Sequence, residues 1–441
     1  MTTELRTPPT STEAGTADHA PGGHFVGLRC RACRRPEPVG PVFVCPACFG
    51  PLEAVYDYDV VRERLTRAVI ASRPPGIWRY LELLPVDAPP ARGLAVGGTP
   101  LVDAERLGAE LGLRRLWLKD DTRNPTLSFK DRVVGVATAR AVTFGFDTIA
   151  CASTGNLAGA TAAAAAAAGL RAFVFVPEDL EPAKVEHAIA FGATVVPVRG
   201  TYDDINRLSL EIADEEGWAF ANVTLRPFYA EGSKTLAFEI AEGLGWRLPD
   251  VVVGPIASGS LFTKVARGFR ELAEVGLVEP KDVRFVGGQP AGCAPVADAF
   301  GRGDDTIRPV RQPDTIVRSL AIGSPADGPY ALALARRTGG SIESVPDAAT
   351  ALEIRRLGAT EGIFVETAGG VTVAAARQAR ERGIIGPDDE TVVLVTGNGV
   401  KTPDARWFEH ERRTATGPSD AGLALPIEPS LSAFEAWHGA A

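Results

Sequence analysis

The chain has 441 residues, 45% of them hydrophobic and 23% charged, with 46 lysines and arginines against 55 aspartates and glutamates. That length allows two or three domains and a large core. The net charge of −9, with no compensating basic tract, argues against a nucleic-acid partner held through its phosphates, and no apolar run approaches the ~18 residues of a membrane span.

The stretch from Met1 to His24 is rich in Thr, Pro, Ala and Gly and lacks an apolar h-region. Residues 1–25 are therefore expected to be a disordered tail, not a signal peptide, and the chain is expected in the cytoplasm. Cys30-Arg31-Ala32-Cys33 and Cys45-Pro46-Ala47-Cys48 follow. Two CxxC pairs close in sequence have the spacing of a zinc ribbon, in which four thiolates surround one ion. A disulfide pair is the competing reading, disfavoured where a cytosol keeps thiols reduced. With Val42-Phe43-Val44 as a strand between the pairs and 52–58 as a closing strand, a ribbon is expected over 26–56. Its ligands would be Cys30, Cys33, Cys45 and Cys48 around one structural Zn2+, leaving no open position for catalysis. Cys151 and Cys293 stand alone among apolar neighbours and read as small core residues.

Beyond the ribbon the residues predict a helix over 60–72, loops at 74–76 and 85–98, a turn at 97–101, a helix over 103–111 and a strand at 116–119. Next comes Asn124-Pro125-Thr126-Leu127-Ser128-Phe129-Lys130-Asp131-Arg132. Asn-Pro signals a turn, so Lys130 falls at or near the start of the following helix. A cation is disfavoured there by the helix dipole. A lysine that gives up its charge to form an imine escapes that penalty and is a covalent catalyst; a plain surface lysine is the bland alternative. From 133 on, helices and strands of four to six residues alternate: helix 133–144, strand 147–152, helix 157–168 with its alanine run, strand 171–176, helix 182–191, strand 194–198, helix 202–216 and strand 218–223. The pattern resumes with helix 233–243, strand 251–254, helix 260–275, strand 283–287, a mixed stretch to 345, helix 347–358, strand 363–366, helix 370–382 and strand 391–396. Such alternation means βαβ units and a parallel sheet.

In parallel sheets ligands bind outside the carboxyl ends of strands, and three loops lie at such ends. Ser153-Thr154-Gly155-Asn156 opens a helix and suits a carboxylate or phosphate, or is an ordinary cap. Gly254-Pro255-Ile256-Ala257-Ser258-Gly259-Ser260 also runs into a helix, and its small residues and two hydroxyls suit a phosphate, although neither GK[ST] nor G-x-G-x-x-G is present. Thr396-Gly397-Asn398-Gly399-Val400-Lys401 sets a hydroxyl at a strand end beside two permissive glycines; alone it reads as a turn. The five histidines lie outside these loops, which disfavours a Ser-His-Asp or Cys-His hydrolase.

Taken in series, the Asn124–Arg132 stretch and these three loops resemble the β-family (fold type II) pyridoxal-phosphate enzymes, most of all the threonine synthases. Many of those also carry a ribbon in front, followed as here by Gly50-Pro51-Leu52-Glu53-Ala54-Val55-Tyr56-Asp57. The resemblance covers about 26–405. It implies an α/β fold of two three-layer αβα lobes behind the ribbon: a large cofactor-binding lobe from 57–135 and 226–441, and a small mobile lobe from 136–225. It implies pyridoxal 5′-phosphate held by Lys130 at the aldehyde carbon, by Asn156 at the ring hydroxyl, by Ile256, Ala257, Ser258, Gly259 and Ser260 at the phosphate, and by Thr396 at the ring nitrogen. Ser153, Thr154 and Gly155 would take the substrate carboxylate. The implied reaction is O-phospho-L-homoserine plus water giving L-threonine and phosphate, by γ-elimination and β-addition, with Lys130 as Schiff-base lysine and proton shuttle. A small amino-acid substrate and a homodimer complete the expectation. One departure stands out. Threonine synthases commonly place a phosphate-holding arginine where this chain has Tyr229; Arg226, three residues earlier, is the substitute. That departure keeps a second reading open, a β-family enzyme for another activated amino acid: a β-replacement synthase such as a cysteate-synthase-like enzyme, or a threonine or serine dehydratase. A catalytically dead scaffold is the third, opposed by the intact lysine and loops.

Overall fold

The computed structural model describes residues 23–42, 44–153, 155–200, 202–402, 414–415, 423–424 and 427–438. The tail expected over 1–25 therefore falls, through residue 22, outside the described residues. Two compact units are present, Met1–Lys401 and Thr402–Ala441. In the second, a helix at Leu431–His438 and a two-residue parallel pairing of Thr414–Ala415 with Leu423–Ala424 are described.

Among its described residues the first unit holds three sheets. The N-terminal one is antiparallel: β1 (Phe25–Cys30) lies between β2 (Pro36–Glu37) and β3 (Leu52–Tyr56). Of the strand expected at 42–44, Val44 makes only an isolated bridge to Pro51, and Phe43 lies outside the described residues.

The largest sheet has six strands. In chain order they are β4 (Leu101–Asp103), β5 (Leu116–Asp120), then, after the four strands of the third sheet, β10 (Val251–Pro255), β11 (Arg284–Pro290), β12 (Ser341–Val345) and β13 (Thr391–Val395). Their spatial order is β12-β11-β10-β13-β5-β4. All neighbours run parallel except β4, which pairs antiparallel with β5 at the edge. The third sheet is parallel throughout, with β6 (Thr148–Ala152), β7 (Arg171–Pro177), β8 (Thr194–Val198) and β9 (Ala219–Phe220) in the order β8-β7-β6-β9. Central strands covered on both faces are apolar runs, and Val251, Val252 and Val253 are fully buried.

Several sequence expectations change. The single helix over 60–72 is two, Tyr58–Arg64 and Arg67–Ser72, because the Thr66 hydroxyl caps the second and breaks the run. The strand at 363–366 is a single bridge between Val365 and Asn398, since Glu366 is already the cap of the next helix. The mixed stretch before 345 contains β12 and helices Pro295–Arg302 and Gly328–Arg337.

Close helix packing positions the Asn124–Arg132 stretch. The helix Lys130–Thr143 is buried along most of its length and lies against Gly232, where a Cβ would come within 2.3 Å of the Arg132 carbonyl. Arg132, fully buried, bonds Asp121 and Glu239, and Lys119 joins them on Glu239. Among the described residues no helix is long and apolar enough to cross a membrane.

Candidate active site

Lys130 is the first residue of its helix, as Asn124-Pro125 predicted. The loop before it is fastened by hydrogen bonds along its length. The Thr126 hydroxyl and amide donate to the Asp131 carboxylate at 2.6 and 2.7 Å. Leu127 takes φ of 60°, uncommon for leucine. The Phe129 amide donates to the Thr396 carbonyl, and the Asn398 amide to the Leu127 carbonyl. The lysine loop and the loop after β13 thus form one structure, with Lys401 Nζ donating to the Thr126 carbonyl at 2.7 Å. Burial lowers the Lys401 pKa to about 8.

The Lys130 amine opens on a cavity of about 450 Å³, within the size range of cofactor and small-ligand sites. Its Nζ donates to the Tyr229 hydroxyl at 3.0 Å. Burial holds its pKa below the ordinary lysine value, which favours the neutral amine that covalent chemistry needs. Tyr229, the residue at the departure, is therefore the lysine's immediate partner, and burial raises its own pKa.

Around this cavity stand Ser153, Gly155, Asn156, Ala257, Ser258, Gly259, Ser260, Thr396 and Arg226. Thr154 lies outside the described residues. Ile256 is set apart from the others: its side chain packs over Gly287 in the core and its amide donates to the Gly288 carbonyl, so strand pairing has already used it. The Ser153 hydroxyl accepts from the amides of Gly155 and Ala158, both at 3.0 Å. Its hydroxyl oxygen is thereby committed to the turn.

The Ser258–Ser260 loop begins a fifteen-residue helix, whose first amides lack intrahelical acceptors. Gly259 has φ of 93°, and a Cβ there would sit 2.7 Å from the Asp327 carbonyl oxygen. Asp327 is a junction. Its amide donates to the Ser258 carbonyl, and its carboxylate accepts from Arg226 at 2.7 Å and from Arg31, between the first two cysteines, at 3.0 Å.

Asn156 donates through Nδ2 to both oxygens of Glu366, at 2.7 and 2.9 Å, while its buried Oδ1 has no partner among the described residues. That orphaned acceptor, the lysine amine and the small-residue loop at a helix start offer the polar groups and space that pyridoxal phosphate requires, so the residues present fit that cofactor. Sequence reasoning did not find Glu366, Tyr202, Asn206, Arg207 or Asn222, which also line the cavity. Tyr202 and Asn206 are one turn apart on helix Tyr202–Glu216 and meet the Asn222 amide at 3.2 and 3.4 Å. The spacing was visible, but a polar helical turn reads equally well as a solvated face.

The four N-terminal cysteines converge, with their sulfurs all within 4.8 Å. Cys30 and Cys48 are 3.5 Å apart, and Cys33 and Cys45 3.7 Å. Four sulfurs about 2.3 Å from one tetrahedral ion would stand about 3.8 Å apart, so this donor set fits a metal ion. Arg34 and Phe49, each just after a CxxC pair, take positive φ and turn the knuckles.

Residues 93–397 match the family described as pyridoxal-phosphate dependent enzyme. The chain is 36% identical over 379 residues to the threonine synthase of Methanocaldococcus jannaschii, covering 86% of this chain and 93% of that protein. It is 34% identical to the threonine synthase of Methanosarcina acetivorans over 86% of this chain and 92% of that one. Among solved structures, maize serine racemase superposes with a TM-score of 0.58 at 20% identity, over 71% of this chain and 91% of the other. O-ureido-L-serine synthase does so with 0.58 at 23%, over 77% and 96%. At such identities the two structures speak for the fold alone.

Proposed function

Because the chain belongs to the pyridoxal-phosphate dependent enzymes and, among them, to the threonine synthases, we propose that it converts O-phospho-L-homoserine and water to L-threonine and phosphate. The observation that carries this reading is the partly buried Lys130 amine opening on the cavity that Asn156, Ser258, Gly259, Ser260 and Thr396 also line.

Lys130, Asn156, the Ala257–Ser260 loop and Thr396 would hold the cofactor. When bound, pyridoxal phosphate supplies an aldehyde carbon for amine attachment and a ring that draws electrons from the substrate α-carbon. Lys130 then serves as the base that takes the α-proton and moves protons at the β-carbon, work that suits an amine with a lowered pKa. Thr396 would offer a neutral hydroxyl to the ring nitrogen, which would moderate the ring's electron withdrawal. The Ser153–Gly155 turn, at a helix start, would take the substrate carboxylate. Arg226, held by Asp327 at the cavity wall, takes the substrate phosphate and steadies it as it departs. Tyr229 holds the lysine amine on its proton-transfer path. Closure of the layer built on β6–β9 over the substrate would exclude water until the addition step.

The cysteine cluster is proposed as a structural zinc site closed by Cys30, Cys33, Cys45 and Cys48; the sulfur spacing supports it. We place the enzyme in the cytoplasm as a homodimer, the commonest closed assembly.

The test is phosphate release from O-phospho-L-homoserine with threonine quantified in the same tube. Wild type is expected to form the two in step. Lys130→Ala is expected to lose both, together with absorbance at about 410–420 nm from the lysine-bound cofactor. A second reading rests on Tyr229: if the wild type binds cofactor yet turns over no phosphohomoserine, the tyrosine has changed the accepted amino acid.

A further inference from the structure

A second cavity, of about 1070 Å³, opens on the other side of the helix Ser260–Glu274, between that helix, the cysteine-bearing sheet and the helix Gly328–Arg337. Its wall includes Arg29, Arg31, Arg34, Arg267, Arg270 and Arg337. Four of them crowd one carboxylate: Glu53 receives Arg29 at 3.7 Å, Arg31 at 3.9 Å, Arg34 at 3.7 Å and Arg267 at 3.2 Å.

The imbalance persists when every linked ion pair is followed. Arg31 continues to Asp327 and Arg226. Arg267 continues to Glu231 and Glu271, which also hold Lys234 and Lys264. The network thus joins seven cations (Arg29, Arg31, Arg34, Arg226, Lys234, Lys264 and Arg267) through only four carboxylates (Glu53, Glu231, Glu271 and Asp327), an excess of three positive charges. Arg270 and Arg337, exposed on the same wall and without an ion pair among the described residues, add two cations, and Glu274 and Asp282 on that wall add two carboxylates, so the excess of three stands. This excess sits in a chain of net charge −9, so it is a local feature. Among the described residues, the buried Arg29 Nε has no acceptor. A lone phosphate would satisfy one fork of such a wall; guanidinium groups spread around a cavity this wide match several phosphate groups at once.

We propose that this cavity binds a small-molecule polyphosphate, gripped by Arg29, Arg34, Arg270 and Arg337. The site is separate from the reaction cavity and is independent of which amino acid the enzyme accepts. Arg31 lies on both the polyphosphate wall and the Asp327 junction, so the two cavities share a neighbour.

The experiment is calorimetric titration of the cofactor-loaded enzyme with inorganic triphosphate at fixed ionic strength, for wild type, the double variant Arg270→Glu/Arg337→Glu, and Arg226→Ala. Wild type is expected to bind one triphosphate per chain. The double variant is expected to bind about tenfold or more weakly, as befits losing charged donors, while its threonine formation without triphosphate stays at the wild-type rate. Arg226→Ala is expected to keep triphosphate binding. No binding by wild type, equal binding by the double variant, or loss confined to Arg226→Ala would each overturn the proposal, the last by placing the anion in the reaction cavity. An ATP arm separates the sources: tighter binding than triphosphate marks a nucleotide, equal binding the phosphate chain alone. Failure of the threonine assay with triphosphate binding intact would overturn the catalytic reading and leave this site standing.

Discussion

At the residue scale, the lysine was legible and its partner was not. Lys130 stood out because a turn signal put a cation where a helix start disfavours one. Tyr229 entered the sequence reading as a missing arginine, yet its hydroxyl accepts from Lys130 at 3.0 Å. A contact between residues 99 apart depends on how Arg226–Tyr229 folds against the lysine helix, which no local pattern encodes. Tyr229→Phe removes one hydrogen bond, worth about 0.5–1.5 kcal/mol. Steady-state kinetics should show kcat reduced about two- to tenfold with KM little changed; a large rise in KM with kcat intact would assign Tyr229 to substrate binding instead. Glu366 escaped for a related reason. The sequence pattern makes it a strand end, and only the folded chain shows it at a helix start, its carboxylate receiving Asn156.

At the element scale, periodicity carried the parallel strands and their helices, because covered strands must be apolar and strand ends must turn. It failed where a cap or an edge decided the outcome. Thr66 divides one expected helix, and β4 joins the sheet edge antiparallel where a turn was read. The helix Lys130–Thr143 also hides what fixes it, since Arg132 is a fully buried cation in a run that reads as ordinary helix. Glu239→Gln would leave Arg132 and Lys119 short of their shared carboxylate and should cost about 3–5 kcal/mol, seen as a lower Tm. The pH dependence follows from the same group. Burial alone would raise the Glu239 pKa, but Arg132 and Lys119 outweigh it and hold it far below the usual range. The unfolded chain takes this proton near pH ~4.3, so the stabilisation is complete above that value and drains as pH falls toward the folded pKa. Wild-type Tm should therefore fall steeply below about pH 5, and Glu239→Gln should show a shallower fall over that window.

At the scale of the whole molecule, four short loops in series revealed the family when each alone was ambiguous, because a site built at strand ends must collect its residues from distant parts of the chain. The sulfur cluster was equally legible, since its spacing is local. Removing metal with a chelator should lower Tm without changing kcat at saturating substrate; an unchanged Tm in metal-free protein would deny the cluster a structural role. What spacing could not foretell is how deeply the cysteine-bearing sheet is wired into the rest. The Tyr56 hydroxyl, at the end of β3, donates to the fully buried Glu231 at 2.8 Å, and Phe25 packs on Phe228, next to the lysine's partner. Such a segment cannot be exchanged like a cassette. A chain restarted at Asp57 would lose a donor to a carboxylate sealed from water and uncover an aromatic surface beside Tyr229. The front piece thus serves as an inner wall of the enzyme behind it, and removing it would strand Glu231 and Phe228 together.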